Sequence, residues 1–172
     1  MDGANRRNRI LEILLDASVP ITGGELAKSF NVSRQVIVQD IALIRASGQD
    51  IVATPQGYIL VQTLTGGKLI KTIACKHGWD DLEKELNIFV DNGGKVIDVS
   101  VEHPLYGELK GMLMLASRRD VRNFVVNLQK TRAQPLSALT SGIHLHRVEV
   151  PSDEVFLNIE RDLALEGILL EK

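Results

Sequence analysis

The chain has 172 residues, with 20 Lys+Arg against 22 Asp+Glu and a formal net charge of −2, a length that suits one large domain or two small ones. Apolar residues make up 44%, ample for packed cores, yet no apolar run approaches the roughly 20 residues that cross a bilayer, so no membrane partner is expected. Residues 1–9 are polar and charged with no apolar targeting core, and the single Cys75 excludes an internal disulfide; both features predict a reducing cytoplasm.

Residues 8–16 carry Ile10, Leu11, Ile13, Leu14 and Leu15, the apolar face of a first helix. Val19-Pro20-Ile21 breaks it. Thr22-Gly23-Gly24-Glu25 has the form of a capping box, a cap followed three residues later by a Glu that reaches back. A short second helix over 25–30 then ends at Asn31, which tolerates the left-handed conformation of a tight turn. Ser33 caps a third helix, in which Ile37, Ile41 and Ile44 recur at helical spacing and point to a core. Gln35 and Gln39 lie one turn apart on the outer face, with Arg34 at the exposed start. A Gln pairs bidentately with adenine in the major groove and an Arg with guanine. Ala46-Ser47-Gly48 stops this helix, and strands over 51–54 and 58–61 flank Pro55-Gln56-Gly57 as a hairpin wing.

Three helices and a hairpin in this order predict a winged helix-turn-helix on double-stranded DNA. Its contacts are expected from Ser33, Arg34, Gln35, Gln39 and Lys28, with Arg6 and Arg7 from the N-terminus. The alternatives are a helical bundle whose glutamines merely face outward, and a basic cluster at Arg6, Arg7 and Arg9 that is only a solvated terminus. Over residues 1–61 the six basic residues (Arg6, Arg7, Arg9, Lys28, Arg34, Arg45) balance six acidic ones (Asp2, Glu12, Asp16, Glu25, Asp40, Asp50). Non-specific binders neutralise many phosphates and are basic overall; a neutral domain suits a dimeric, site-specific reader.

Thr63-Leu64-Thr65-Gly66-Gly67 reads as a joint, dividing the chain into a DNA-binding domain (1–62), a linker (63–67) and a second domain (68–172). The second domain reads as strand (68–75), helix (80–92), strands (95–101 and 108–115), helix (118–131), strand (143–150), helix (152–166) and a short apolar end (167–170). Asn92-Gly93-Gly94 closes its first helix with a residue free to take positive φ. The order βαββαβα predicts an α+β open-faced sandwich, helices on one side of a mostly antiparallel sheet. The open face or an edge is then available to a second subunit.

All four histidines lie beyond the joint. In His144-Leu145-His146 the two imidazoles share one strand face, and imidazole is the commonest protein metal ligand. His77 ends the first strand, and Glu85 follows on the first helix, within reach of the same strand-to-helix corner. By spacing alone two readings stand, an incidental His-x-His pair or a metal site. Cys75 likewise reads as a small buried hydrophobe, with metal ligation as the alternative. Arg118 and Arg119 open the second helix of this domain, either as solvated charges or as cations for an acidic ligand.

The motifs Val32-Ser33-Arg34-Gln35 with Asp40-Ile41, Lys76-His77-Gly78, His103-Pro104-Leu105-Tyr106-Gly107 and Gly142-Ile143-His144-Leu145-His146 together resemble the niacin-responsive transcriptional repressors, end to end. In that family a biotin-repressor-type winged helix precedes a 3H domain. The resemblance implies a homodimeric repressor of genes for NAD synthesis or niacin uptake, with nicotinic acid as small-molecule co-repressor. It also implies one divalent transition metal per subunit (Ni, Zn or Fe) held by His77, Glu85, His144 and His146. His103, kept extended by Pro104, and Tyr106 are expected to line a ligand pocket beside that metal; the other reading is a loop histidine bonded to its own turn.

Three rival functions remain at this stage. One is a metal-sensing regulator in which the ion is the signal. A metal-dependent hydrolase needs an open coordination position and a placed base, and no second carboxylate accompanies the histidines. A biotin-ligase-type bifunctional regulator needs a glycine- and arginine-rich adenylate loop, which the second domain lacks.

Overall fold

The structure, a computed structural model, describes residues 2–61 and 69–171. The chain divides into two compact units, Met1–Gly67 and Lys68–Lys172. The expected joint at 63–67 lies outside the described residues.

The first unit contains α1 (Gly3–Asp16), α2 (Gly23–Phe30), α3 (Arg34–Ala46), β1 (Ile51–Thr54) and β2 (Gly57–Leu60). Helix α1 starts five residues before the position that apolar spacing predicts, because Asp2 caps it by accepting from Asn5 N. Those first turns are polar and carry no stripe to reveal them. Thr22 and Glu25 form the expected capping box. Asn31 adopts φ 51° and ψ 49° at the end of α2, and Ser33 Oγ accepts from Val36 N at 3.3 Å. Ile10, Leu14, Leu26, Ile37, Ile41, Ile44, Ile51 and Leu60 make one core. At about 25 cal/mol per Å² of apolar surface removed from water, each fully buried side chain of this size contributes roughly 1.5–3 kcal/mol.

The wing is held to this core through Ile21, which exchanges backbone hydrogen bonds of 2.9 and 2.8 Å with Tyr58. Gly57 turns the hairpin at φ +129°, and any Cβ there would lie 2.3 Å from the Ile21 carbonyl oxygen. Only glycine permits that approach.

The second unit contains β3 (Leu69–Lys76), α4 (Leu82–Asp91), β4 (Lys95–His103), β5 (Gly107–Leu115), α5 (Arg118–Thr131), β6 (Ile143–Val150) and α6 (Asp153–Leu165). Short 3-10 segments at Trp79–Asp81 and Leu136–Thr140 were not visible in the sequence pattern. The four strands are ordered β3-β6-β4-β5, and every pairing is antiparallel. Alternate residues of the strands, among them Ile73, Cys75, Leu113, Leu115, Val148 and Val150, face a core closed by Leu86 and Phe89 of α4, Val121 of α5, and Ile159 and Leu163 of α6. The helices thus cover one face, as the order of elements predicts. The apolar end at 167–170 lies along β3: Lys76 N donates to Ile168 O, and Leu170 N to Ala74 O.

Candidate functional site

On the first unit, Ser33, Arg34, Gln35 and Gln39 of the α3 region are exposed, as is Lys28 on α2. Gln35 and Gln39 stand one turn apart, opposite the buried Ile37, Ile41 and Ile44. Arg34 lies over Gly23 beside Tyr58, in a notch of about 200 Å³ shared with Thr54 and Pro55 of the wing. Arg6 differs from a free terminal cation. Its guanidinium meets Asp40 at 2.6 and 3.4 Å, with Arg7 3.6 Å from the same carboxylate. Asp40 is buried on α3, so its hydrogen bond and field hold the Arg6 pKa above its ordinary value. The pair ties α1 to α3.

On the second unit, the face of β6 that carries Val148 and Val150 also carries His144 and His146. On α4, Glu85 lies in the stripe of Leu82, Leu86 and Phe89, so its carboxylate enters the core instead of water. His77 follows the end of β3. The structure brings all four together. Glu85 Oε2 lies 2.6 Å from His77 Nε2, and Oε1 lies 2.8 Å from His144 Nε2 and 3.4 Å from His146 Nε2. Glu85, His144 and His146 are almost wholly buried. Adjacent imidazoles stand nearly perpendicular, at 87° for His77 and His144 and 83° for His144 and His146.

Each ring is oriented from behind. His77 Nδ1 donates to Gly78 O at 2.7 Å, His144 Nδ1 to Gly142 O at 2.8 Å, and His146 Nδ1 to Asp98 O at 2.8 Å. A carbonyl oxygen can only accept, so each Nδ1 carries a hydrogen, and the Nε2 atoms are left as the variable positions. The third carbonyl is presented by a bulge at Ile97, where β4 gains one residue on β6; Asp98 is anchored there by the Nε of Arg147 at 2.6 Å.

Three neutral rings would aim three lone pairs at a carboxylate, an arrangement that repels unless positive charge sits among them. Protons on the rings can supply it, and so can a cation. Burial opposes charge on His77 and His146, but Glu85 outweighs it and raises both pKa values. Burial also opposes the Glu85 charge, yet the field of His146 and hydrogen bonds from His144 and His77 hold its pKa well below the usual carboxylate range. His146 Nε2 nevertheless has no hydrogen-bond partner among the described residues. Buried polar atoms without partners are rare and call for an explanation. Three convergent imidazoles, a carboxylate and carbonyl-fixed Nδ1 atoms are the donor set and outer support that a transition metal takes, so these residues would fit such an ion.

The structure places His103 and Tyr106 elsewhere on the second unit. They form the β4–β5 turn, where His103 Nδ1 accepts from the backbone N–H of Leu105 and of Tyr106 at 3.1 and 3.3 Å. Val99, the register partner of His146, is four residues back along β4, roughly 13 Å at strand rise. The cavity beside His77 is lined by other residues. It measures about 670 Å³ and is bordered by His77, Lys76, Trp79, Pro135 and Ser137, among others; sequence spacing offered no signal for residues 134–138, which come from a distant segment. Arg118 is held by Asp91 at 2.7 and 2.6 Å.

A small winged helix-turn-helix followed by a helix-covered sheet with a buried histidine cluster has the form of a DNA-binding regulator with a second, separate domain. Comparison with known proteins agrees. A family profile for an HTH domain matches residues 6–59, and one for the 3H domain matches residues 70–172. The chain is 42% identical to the "Probable transcription repressor NiaR" of Thermotoga maritima, over 97% of this chain and 94% of that protein. It is also 42% identical to the "Transcription repressor NadR" of Bacillus subtilis, over 98% and 95%. The chain belongs to this family of 3H-domain transcription repressors, and it is a regulator, not an enzyme. Among the described residues no helix is long and apolar enough to cross a membrane.

Proposed function

We propose that the protein represses genes for NAD synthesis or niacin uptake, binding a two-fold operator as a homodimer with nicotinic acid as co-repressor. One divalent transition metal per subunit is held by His77, Glu85, His144 and His146. The observation that carries the metal is the convergence of three Nε2 atoms on one buried carboxylate, each ring pinned by a carbonyl. The names of the relatives support the repressor role, and the effector follows from the resemblance of the histidine motifs. When bound, the metal supplies a positive centre to which a pyridine carboxylate can be drawn.

The chain's own residues do the rest. The cavity beside His77 offers Trp79 as an apolar wall and Lys76 as a cation, which suits a flat aromatic acid. His103 and Tyr106 remain proposed effector contacts, to be tested separately by substitution. On DNA, Gln35, Gln39 and Arg34 read base edges, with Lys28, Ser33 and Arg7 toward the backbone; Arg6 acts by holding α1 against α3. A co-repressor strengthens operator binding only if it prefers the DNA-competent arrangement. That arrangement must set the two reader helices about one turn of DNA, roughly 34 Å, apart or a multiple of it. Such coupling is typically about 1–3 kcal/mol, roughly five- to 150-fold in affinity.

Operator affinity measured with and without metal, and with and without nicotinic acid, tests this reading. Enhancement by nicotinic acid only in metal-loaded protein supports it. Equal enhancement without metal makes the ion structural, and a response to metal alone makes the protein a metal sensor. Ala at both His144 and His146 should empty the site in elemental analysis while far-UV circular dichroism stays native.

A further inference from the structure

The histidine cluster has a fifth donor group on the side of the core. Cys75 and His144 are register partners of β3 and β6, and directly opposed residues of an antiparallel pair project from one face. That is the helix-covered face, where Cys75 is fully buried. Its Sγ, a carboxylate oxygen of Glu85 and a ring nitrogen of His144 lie within 4.8 Å of one another. His146 Nε2, buried and without a hydrogen-bond partner among the described residues, points toward the same carboxylate at 3.4 Å. The thiol therefore borders the space on which the imidazoles converge, although an apolar residue would fill a strand position of this burial equally well.

We propose that Cys75 is itself a ligand of the metal, adding a thiolate to the imidazoles and the carboxylate. The proposal rests on the metal reading above and deepens it by specifying the class of ion. A metal deprotonates the thiol that coordinates it, and the proton leaves to solvent, so no oxidant or other co-reactant is required. Thiolate beside imidazole selects zinc, cobalt or nickel, whereas magnesium, calcium and manganese prefer oxygen donors. A site with sulfur in it is thereby protected from the abundant hard cations.

Cobalt(II) is the probe, added to the full chain after removal of bound metal with a chelator. The expected result is one cobalt per chain, with ligand-field bands in the visible and an intense sulfur-to-cobalt charge-transfer band in the near ultraviolet. Cys75→Ser should keep the ligand-field bands, lose the charge-transfer band, and bind cobalt roughly 10-fold more weakly or worse, since even outer-shell substitutions cost 10–100-fold. The wild-type spectrum decides the matter even if the variant misfolds. Stoichiometric cobalt without the charge-transfer band overturns the role of Cys75 and leaves the His–Glu site standing. No cobalt bound at all overturns the metal reading itself, and this one with it.

Discussion

Gly142 is the residue on which the histidine cluster is most exposed to a one-carbon change. It adopts φ +92°, and a Cβ built on it would lie 2.4 Å from the His77 carbonyl oxygen. Its carbonyl accepts from His144 Nδ1 at 2.8 Å and from His77 N at 3.3 Å, so one peptide unit positions two of the three rings. In Gly142→Ala, an L-residue in left-handed backbone costs about 1–2 kcal/mol, and relief of the 2.4 Å approach must move the His77 backbone. The strain alone lowers the melting temperature of the second unit by roughly 4–16 °C. The displaced rings should weaken metal binding about 10–100-fold, the usual loss when the support behind a ligand is disturbed. Gly93→Ala is the control: its φ is +89°, but among the described residues nothing lies within 4 Å of the added carbon. It should lose similar stability with unchanged metal affinity. Competition with a chromophoric zinc chelator, run beside thermal melts, reads both quantities. Metal affinity of folded Gly142→Ala within a factor of about two of wild type, against that expected 10–100-fold loss, would refute the reasoning.

Gln35→Ala or Gln39→Ala should cost about 1–3 kcal/mol at the cognate operator and little on random DNA; equal losses on both would mean that α3 does not read sequence. Arg6→Ala should lower the melting temperature of the first unit and leave the salt slope of operator binding unchanged, because its guanidinium is engaged by Asp40; a shallower slope would make it a phosphate contact. Metal must displace any proton from Nε2, and Glu85 raises the pKa values of His77 and His146. Affinity should therefore fall as pH drops through those raised values, beginning at higher pH than for ordinary imidazoles. Isothermal titration at several pH values checks this, and a flat profile through the neutral range would contradict it.

Local chemistry was legible in the chain from the start. Ser33, the Thr22–Glu25 box and Asn31 act over three or four residues, so the helix ends they set follow from sequence alone. The shared face of His144 and His146 follows from strand parity, and the spacing puts Glu85 within reach of the corner where His77 ends the first strand. Tertiary structure decided what those side chains meet. His144 and Glu85 are 59 residues apart, and Arg6 and Asp40 are 34 apart, distances over which no local rule operates. The sheet order β3-β6-β4-β5 sets Cys75 opposite His144, and the bulge at Ile97 turns a backbone carbonyl onto His146. The same sheet carries His103 along β4, away from the other three histidines. Periodicity determines which face a residue occupies; only the packing of distant segments against one another determines its partners there.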